Sequence, residues 1–136
     1  MGKRGEVMRL KLPGVIALAL LVAAPVFAHH SAVAEYDLAK PVKVSGAVTR
    51  VEWSNPHIWF YVDVKNPDGS VTNWGFSGGA PGVLQRRGIS RSSMKIGDEV
   101  VVEGFRAKDG SFNGSGNNVT FKDGRRVFTA MEGFKP

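Results

Sequence analysis

The fold is decided by residues 41–53, which read PVKVSGAVTRVEW. Three valines of one parity come first, as expected for the buried face of a β-strand. They are Val42, Val44 and Val48. From Val51 onward the apolar residues take the other parity, which requires one extra residue in the strand, so we expect a β-bulge near residues 49–50. A long first strand with Gly46 and a bulge is typical of a sheet that curls into a small barrel.

The residues after this strand predict a hairpin. Ser54-Asn55-Pro56 marks a turn, and the second strand is predicted to begin at His57. Its apolar residues alternate with a second face that carries His57, Trp59 and Tyr61. Asn66-Pro67-Asp68-Gly69 is a turn signature, and residues 71–76 return as a third strand that contains Trp74.

The rest of the chain predicts one short helix and further strands. The helix begins near Pro81 and ends at Gly88, because proline suits the first helical turn and glycine the stop. Strands follow at 99–107, 118–121 and 126–130, with a glycine-rich loop at 108–116. Three strands, a short helix and two or three more strands predict an all-β, OB-like barrel of five to six strands. A different small β-barrel or roll is the alternative.

Residues 1–28 have the pattern of a secretory signal peptide. Basic residues precede an apolar stretch at 15–24, Pro25 breaks it, and Ala28 supplies the small residue before the cleavage site. Met1 and Met8 are both possible starts. The apolar stretch is about half the roughly 20 residues that a membrane helix needs, so we expect no membrane span after processing. An uncleaved anchor is the alternative.

Cleavage between Ala28 and His29 would give a periplasmic or secreted protein with two parts. An N-terminal arm spans 29–40, and the barrel domain spans 41–136. The net charge of +6 includes four basic residues and one acidic residue of the signal, which leaves about +3. This balance does not predict a nucleic-acid partner. The chain has no cysteine, so disulfides and thiolate metal sites are excluded.

Several short motifs together resemble a known family. They are His29-His30-Ser31, Glu35-Tyr36-Asp37, the VEWSNPH run at 51–57 and the GDEV run at 97–100. With these motifs the chain resembles an uncharacterised family of small exported bacterial proteins, the domain-of-unknown-function family six-one-five-two. The resemblance covers nearly the whole mature chain. It implies export and a single β-rich domain, and it supplies no activity.

The processed terminus predicts a metal site. A free α-amino group on His29, its imidazole and a further imidazole from His30 or His57 would provide nitrogen ligands in the arrangement that Cu(II) favours. Zn(II) fits less well, since no carboxylate cluster accompanies the histidines. The arm could bring His29 and His30 to His57 if it lay over the Trp59 face. The alternative is that the terminal histidines are solvated and that His57 hydrogen-bonds a turn carbonyl.

A second hypothesis is a binding module without metal. Trp59, Tyr61 and Trp74 would be stacking platforms for an envelope polymer or protein partner, because OB-type barrels present strands two and three as a ligand face. Packing in the core or under the arm is the alternative role for these aromatics. The oligomeric state is not predicted.

The sequence does not point to an enzyme. The aspartates at 37, 63, 98 and 109 are scattered, and none pairs with a histidine and a serine in a pattern for acyl transfer. Residues 75–82 are rich in glycine but lack the lysine of a phosphate loop. Oxidative chemistry at a copper-bound His29 is the remaining enzymatic reading, and no catalytic residue is assigned.

Overall fold

The computed structural model describes residues 32–131 together with Gly2 and Phe134. The predicted signal peptide, its cleavage site, His29 and His30 lie outside the described residues. Within the described part of the chain, no helix combines the length and apolar character that crossing a membrane requires.

The described residues form seven strands and three short helical segments. The strands are β1 (Tyr36–Glu52), β2 (Trp59–Lys65), β3 (Val71–Ser77), β4 (Glu99–Ala107), β5 (Asn113–Ser115), β6 (Asn118–Phe121) and β7 (Arg126–Phe128). The helical segments are α1 (Ala32–Glu35), α2 (Pro81–Arg86) and a 3₁₀ turn at Arg91–Ser93.

Five of the strands close into a barrel. Their order is β1-β2-β3-β5-β4, and β4 pairs in turn with β1. The pair β3–β5 is parallel and the other four pairs are antiparallel. The two extra strands continue from β4, which pairs with β6, and β6 pairs with β7. The predicted all-β class and the small closed barrel with one short inserted helix are confirmed.

The first strand closes the barrel because it pairs with two neighbours in succession. Its earlier part pairs with β4 as far as Ala47, and its later part pairs with β2 from Ala47 onward. Gly46 lies at this crossing, where a Cβ atom would sit 2.0 Å from the backbone oxygen of Asp63. The register with β2 shifts between Val48 and Arg50, so the predicted bulge is confirmed.

Several element boundaries differ from the prediction. Strand β1 begins at Tyr36, five residues earlier than expected, because Tyr36 pairs with Ala107 of β4. Strand β2 begins at Trp59, so His57 lies in the turn segment before it. The predicted loop at 108–116 contains β5, whose three residues complete the barrel wall by pairing with β3. Strand β7 ends at Phe128, two residues early.

The barrel interior is filled by aliphatic and aromatic side chains. The largest fully buried members are Phe60, Phe76, Leu84, Val48, Val62, Val102 and Val119. The rings of Phe60 and Phe76 stack with their centroids 5.6 Å apart. Helix α2 places Leu84 in this cluster, where it is fully buried, so the helix packs against the core. Each such side chain contributes roughly 1.5–3 kcal/mol through burial.

Candidate functional site

Two aromatic side chains form the centre of the candidate site on the outside of β2. Alternation along the strand sends Phe60 into the core and leaves Trp59 and Tyr61 half-buried on the outer face. Their rings stack with centroids 6.4 Å apart and an interplanar angle of 24°. The guanidinium of Arg50 lies 3.9 Å from the Tyr61 ring centroid and forms an ion pair of 3.3 Å with Glu52. The face therefore combines flat apolar surface with a fixed cation.

The beginning of β1 packs beside this face. Tyr36 is buried and its hydroxyl forms a short hydrogen bond with Oγ of Ser77, the residue that pairs with Trp59 across β2 and β3. Ser77 in turn donates to Sδ of Met131 at 4.0 Å, so we assign Tyr36 as the donor to Ser77. Tyr36 thereby fixes the chain that follows α1 against the outer face of β3.

A cavity of about 370 Å³ separates the start of β1 from Trp59. Glu35, Tyr36 and Asp109 are among the residues that line it, together with Trp59. The main chain at Glu35 is held in place because its carbonyl accepts a hydrogen bond of 3.0 Å from the amide of Lys108. The segment that leaves the described region at residue 32 therefore starts close to Trp59.

Burial and local hydrogen bonds shift the pKa values of two side chains at this cavity. Burial raises the pKa of Tyr36 above its usual value of 10.0. The hydrogen bond with Ser77 lowers this pKa, but the charges of Glu35 and Asp109 raise it further. The hydroxyl and amide of Ser111 hold the pKa of Asp109 below its usual range. At neutral pH, Tyr36 is therefore a neutral hydroxyl and Asp109 an anion.

His57 precedes Trp59 by two residues and is half-buried in the turn segment. Its Nδ1 atom is buried and has no hydrogen-bond partner. Nδ1 therefore makes no hydrogen bond to a turn carbonyl. The neighbouring main chain is fixed, since the amide of Ile58 donates to Gly79 at 3.1 Å and the amide of Gly78 donates to Ile58 at 2.9 Å. A buried imidazole nitrogen without a partner is unusual. A hydrogen-bond donor, a hydrogen-bond acceptor or a metal ion would satisfy it.

The predicted metal ligands are only partly within the described residues. His57 is described, whereas His29 and His30 are not, so the structure does not test whether the three meet. Over residues 32–131, no group of three or more histidine or acidic side chains is placed to hold a metal ion.

Trp74 does not share a surface with the other two predicted aromatic residues. It pairs with Val62 across the sheet and points to the barrel interior, where it is 9% exposed. It stacks on Phe76 at 5.8 Å and receives the edge of Phe112 at 5.4 Å. The inward position of Trp74 could have been predicted from the alternation along β3, because Trp74 and Phe76 have the same parity.

Two arginines that follow α2 form hydrogen bonds with other parts of the chain. Arg87 donates to the carbonyl of Ala130 at 2.8 Å and lies over the ring of Phe128. Arg91 donates to the carbonyl of Trp53 at 3.3 Å. These contacts hold the segment after α2 against the C-terminal ends of β1 and β7.

Sequence reasoning missed one buried polar residue, Asn117. It lies between β5 and β6, is 6% exposed, and its Oδ1 has no hydrogen-bond partner. Glycine followed by asparagine between two short strands resembles an ordinary turn, so no feature of the sequence distinguished Asn117.

Comparison with known proteins gave one match. Neither the curated proteins nor the solved structures that were compared with the chain matched it. The sequence model of the Family of unknown function (DUF6152) matches residues 17–118, which is well over half of the chain. The family that the short motifs predicted is thereby confirmed, and the chain belongs to the Family of unknown function (DUF6152).

Proposed function

We propose that this protein is exported and binds Cu(II) through His29, His30 and His57, for metal handling or sensing rather than catalysis. One observation carries the proposal: the buried Nδ1 of His57 has no hydrogen-bond partner. An imidazole held in this way retains a lone pair that a metal can use.

The distances along the chain support a meeting of the three histidines. Ser77 pairs with Trp59, and His57 is two residues from Trp59, so His57 lies within roughly 10 Å of Ser77 along the sheet. The Tyr36 hydroxyl binds Ser77. Because α1 rises only about 1.5 Å per residue, the six residues from Tyr36 back to His30 can span up to roughly 15 Å. This length exceeds the separation of His57 from Ser77 and supports a meeting of His29 or His30 with His57.

The ligand chemistry supports copper over zinc. Cleavage between Ala28 and His29 would free an α-amine next to an imidazole, and both groups lose their protons readily near neutral pH, with unperturbed pKa values of about 7.7–8.0 and 6.5. Nitrogen ligands in a plane suit Cu(II), which also has the highest affinity among the divalent ions of its row. The proposed location is the periplasm or the exterior of the cell.

We also propose that the barrel is an OB-fold. The strand order β1-β2-β3-β5-β4, the parallel pairing of β3 with β5 and a helix between β3 and β4 support this assignment.

A second candidate function follows from the face of β2. Trp59 and Tyr61 stack on the outer surface with Arg50 over Tyr61, which favours a metal-free module that binds an envelope polymer or a protein partner. Trp74 would support that face from the interior rather than contact the ligand.

The decisive experiment compares two forms of the protein. Both begin at His29, but in one the α-amine is free and in the other it is acetylated, which removes the amine–imidazole chelate and leaves the barrel unchanged. Cu(II) titration and electron spin resonance on both should show a tight, nitrogen-rich site only in the form with the free amine. Equal affinity and equal spectra in the two forms would contradict the copper proposal and favour the binding module.

A further inference from the structure

A groove of about 610 Å³ lies on the barrel wall formed by β1, β4 and the extra strands β6 and β7. It shares no lining residue with the cavity beside Trp59. Its volume falls within the range of small-ligand sites, roughly 300–1,000 Å³. Neither the copper proposal nor the aromatic module uses this groove, so its occupant is a separate question.

The groove carries two cations that share one carboxylate. Nζ of Lys43 lies 3.2 Å from Oε1 of Glu103, and Nη2 of Arg126 lies 3.9 Å from Oε2 of the same side chain. The side chains of Lys43 and Arg126 are about two-thirds exposed. Because these three residues are the charged groups that line the groove, it retains a net charge of +1. An anionic group would complete this arrangement.

Asn117 adds a buried acceptor to the groove. Its amide donates to the carbonyl of Glu103 at 2.9 Å, and its own carbonyl accepts from the amide of Thr129 at 2.9 Å. These bonds fix its backbone on both sides, so the side chain is held at the groove while Oδ1 has no partner. A buried acceptor without a partner lowers the stability of the fold, and a hydroxyl or N–H donor from a ligand would recover that free energy.

We propose that this groove binds an acidic saccharide unit. A sugar hydroxyl would donate to Oδ1 of Asn117. A uronic-acid carboxylate would form ion pairs with Lys43 and Arg126, whose charge Glu103 only half neutralises. The apolar side chains of Pro41 and Phe105 border the groove and suit the C–H face of a pyranose ring. A phosphate ester does not fit as well, because an ionised phosphate has no hydrogen to donate to Oδ1.

Isothermal titration tests the proposal with a hexagalacturonate and, as the neutral comparison, cellohexaose. We expect the hexagalacturonate to bind at least about tenfold more tightly than cellohexaose. Asn117→Leu removes the acceptor while keeping the size of the side chain, and it should weaken hexagalacturonate binding at least about tenfold while the melting temperature stays equal or rises. Asn73→Leu is the matched control. Asn73 is exposed and bonds Thr49 and Asp63 away from the groove, so its replacement should leave affinity unchanged.

A second variant keeps the test valid if Asn117→Leu fails to fold. Lys43→Ala combined with Arg126→Ala changes only exposed side chains and should also weaken hexagalacturonate binding at least about tenfold. The proposal is overturned if hexagalacturonate gives no binding, if cellohexaose binds equally well, or if either set of variants retains the full affinity. Binding of hexaglutamate as tight as that of hexagalacturonate would assign the groove to acidic peptides and also overturn it.

Discussion

Two buried polar side-chain atoms in the described part of the chain have no hydrogen-bond partner, Nδ1 of His57 and Oδ1 of Asn117. Other buried polar side chains are paired, such as Thr129, whose hydroxyl donates to the carbonyl of Gly116 at 2.6 Å. The two unpaired atoms lower the stability of the barrel unless a ligand or water satisfies them. Both of our proposals therefore assign a ligand to an atom that the fold itself leaves without a partner.

Replacement of His57 tests its role as a metal ligand. His57→Ala removes one of the three proposed nitrogen donors, so the affinity of the correctly processed protein for Cu(II) should fall at least about tenfold. The measurement is a competitive Cu(II) titration, with circular dichroism to verify that the barrel has formed. An unchanged dissociation constant would remove His57 from the site.

Removal of the Tyr36 hydroxyl tests the contact that fixes the start of β1. Tyr36→Phe leaves Ser77 without its buried partner and should lower the free energy of unfolding by about 1 kcal/mol at neutral pH. Chemical denaturation of this variant, of Ser77→Ala and of the double variant measures the coupling. If the two single losses simply add, the hydroxyls are not coupled and the contact contributes nothing.

The raised pKa of Tyr36 predicts that the stability of the fold depends on pH. Because burial raises the pKa of Tyr36 above 10.0, the folded protein holds this proton more tightly than the unfolded chain does. The stability from this residue is therefore complete below about pH 10 and is lost as the pH rises through the folded pKa. In wild type, stability should fall more steeply above pH 10 than in Tyr36→Phe, and parallel curves would contradict this.

At the scale of the elements, the crossing of β1 from β4 to β2 depends on Gly46. A methyl group at this position would lie 2.0 Å from the oxygen of Asp63, which belongs to the backbone and cannot move without separating β1 from β2. We expect Gly46→Ala to lower the free energy of unfolding by at least about 3 kcal/mol. Thermal or chemical unfolding of the variant measures this loss.

Gly82→Ala is the matched control for Gly46→Ala. In α2 the added methyl group has only the end of the Arg86 side chain within 4 Å, at 3.8 Å. Because alanine favours the helical conformation, this variant should be as stable as wild type or up to about 1 kcal/mol more stable. Similar losses at the two glycines would show that contact with Asp63 does not set the cost at Gly46.

The sequence predicted the strands wherever a clear alternation or a strong turn signal was present. Strand β4 has the predicted bounds, and so does β6, because buried and more exposed positions alternate along both and glycine turns bound them. Gly69 and Gly97 adopt the positive φ values of +86° and +92° that such turns require. The bulge near Thr49 was predictable because a change of parity has only one simple structural cause.

Pairings between distant segments were not predictable. Strand β5 has three residues, including a glycine, and it exists because β3 lies beside it in parallel. Tyr36 joins β1 because Ala107 is its partner, and no local pattern at residues 36–40 indicates this. The orphan atom of Asn117 likewise depends on tertiary packing. Only Trp59 and Tyr61 could be placed on one face of β2 from their spacing.

At the scale of the whole molecule, stability comes from a core closed by strand pairing, since the chain has no disulfide. If Cu(II) joins the N-terminal segment to His57, it binds the folded state more tightly than the unfolded chain and stabilises it by mass action. At a free Cu(II) concentration of 100 times the dissociation constant, the gain should reach at most about 2.7 kcal/mol, which corresponds to a rise of several degrees in melting temperature.

The control for this thermal shift is the form in which the α-amine of His29 is acetylated. It should melt at the same temperature with and without Cu(II). A rise of equal size in both forms would mean that copper stabilises the barrel through groups other than the free terminus.

Tyr36 and Met131 both contact Ser77, so the start of β1 lies close to the segment that follows β7. A short flexible linker would therefore be enough to join these two points into a ring. New termini could then be opened in the tight turn at residues 66–69 without removing any strand pair. Such a circular permutant would retain the barrel and present β2, with Trp59 and Tyr61, next to the new chain end.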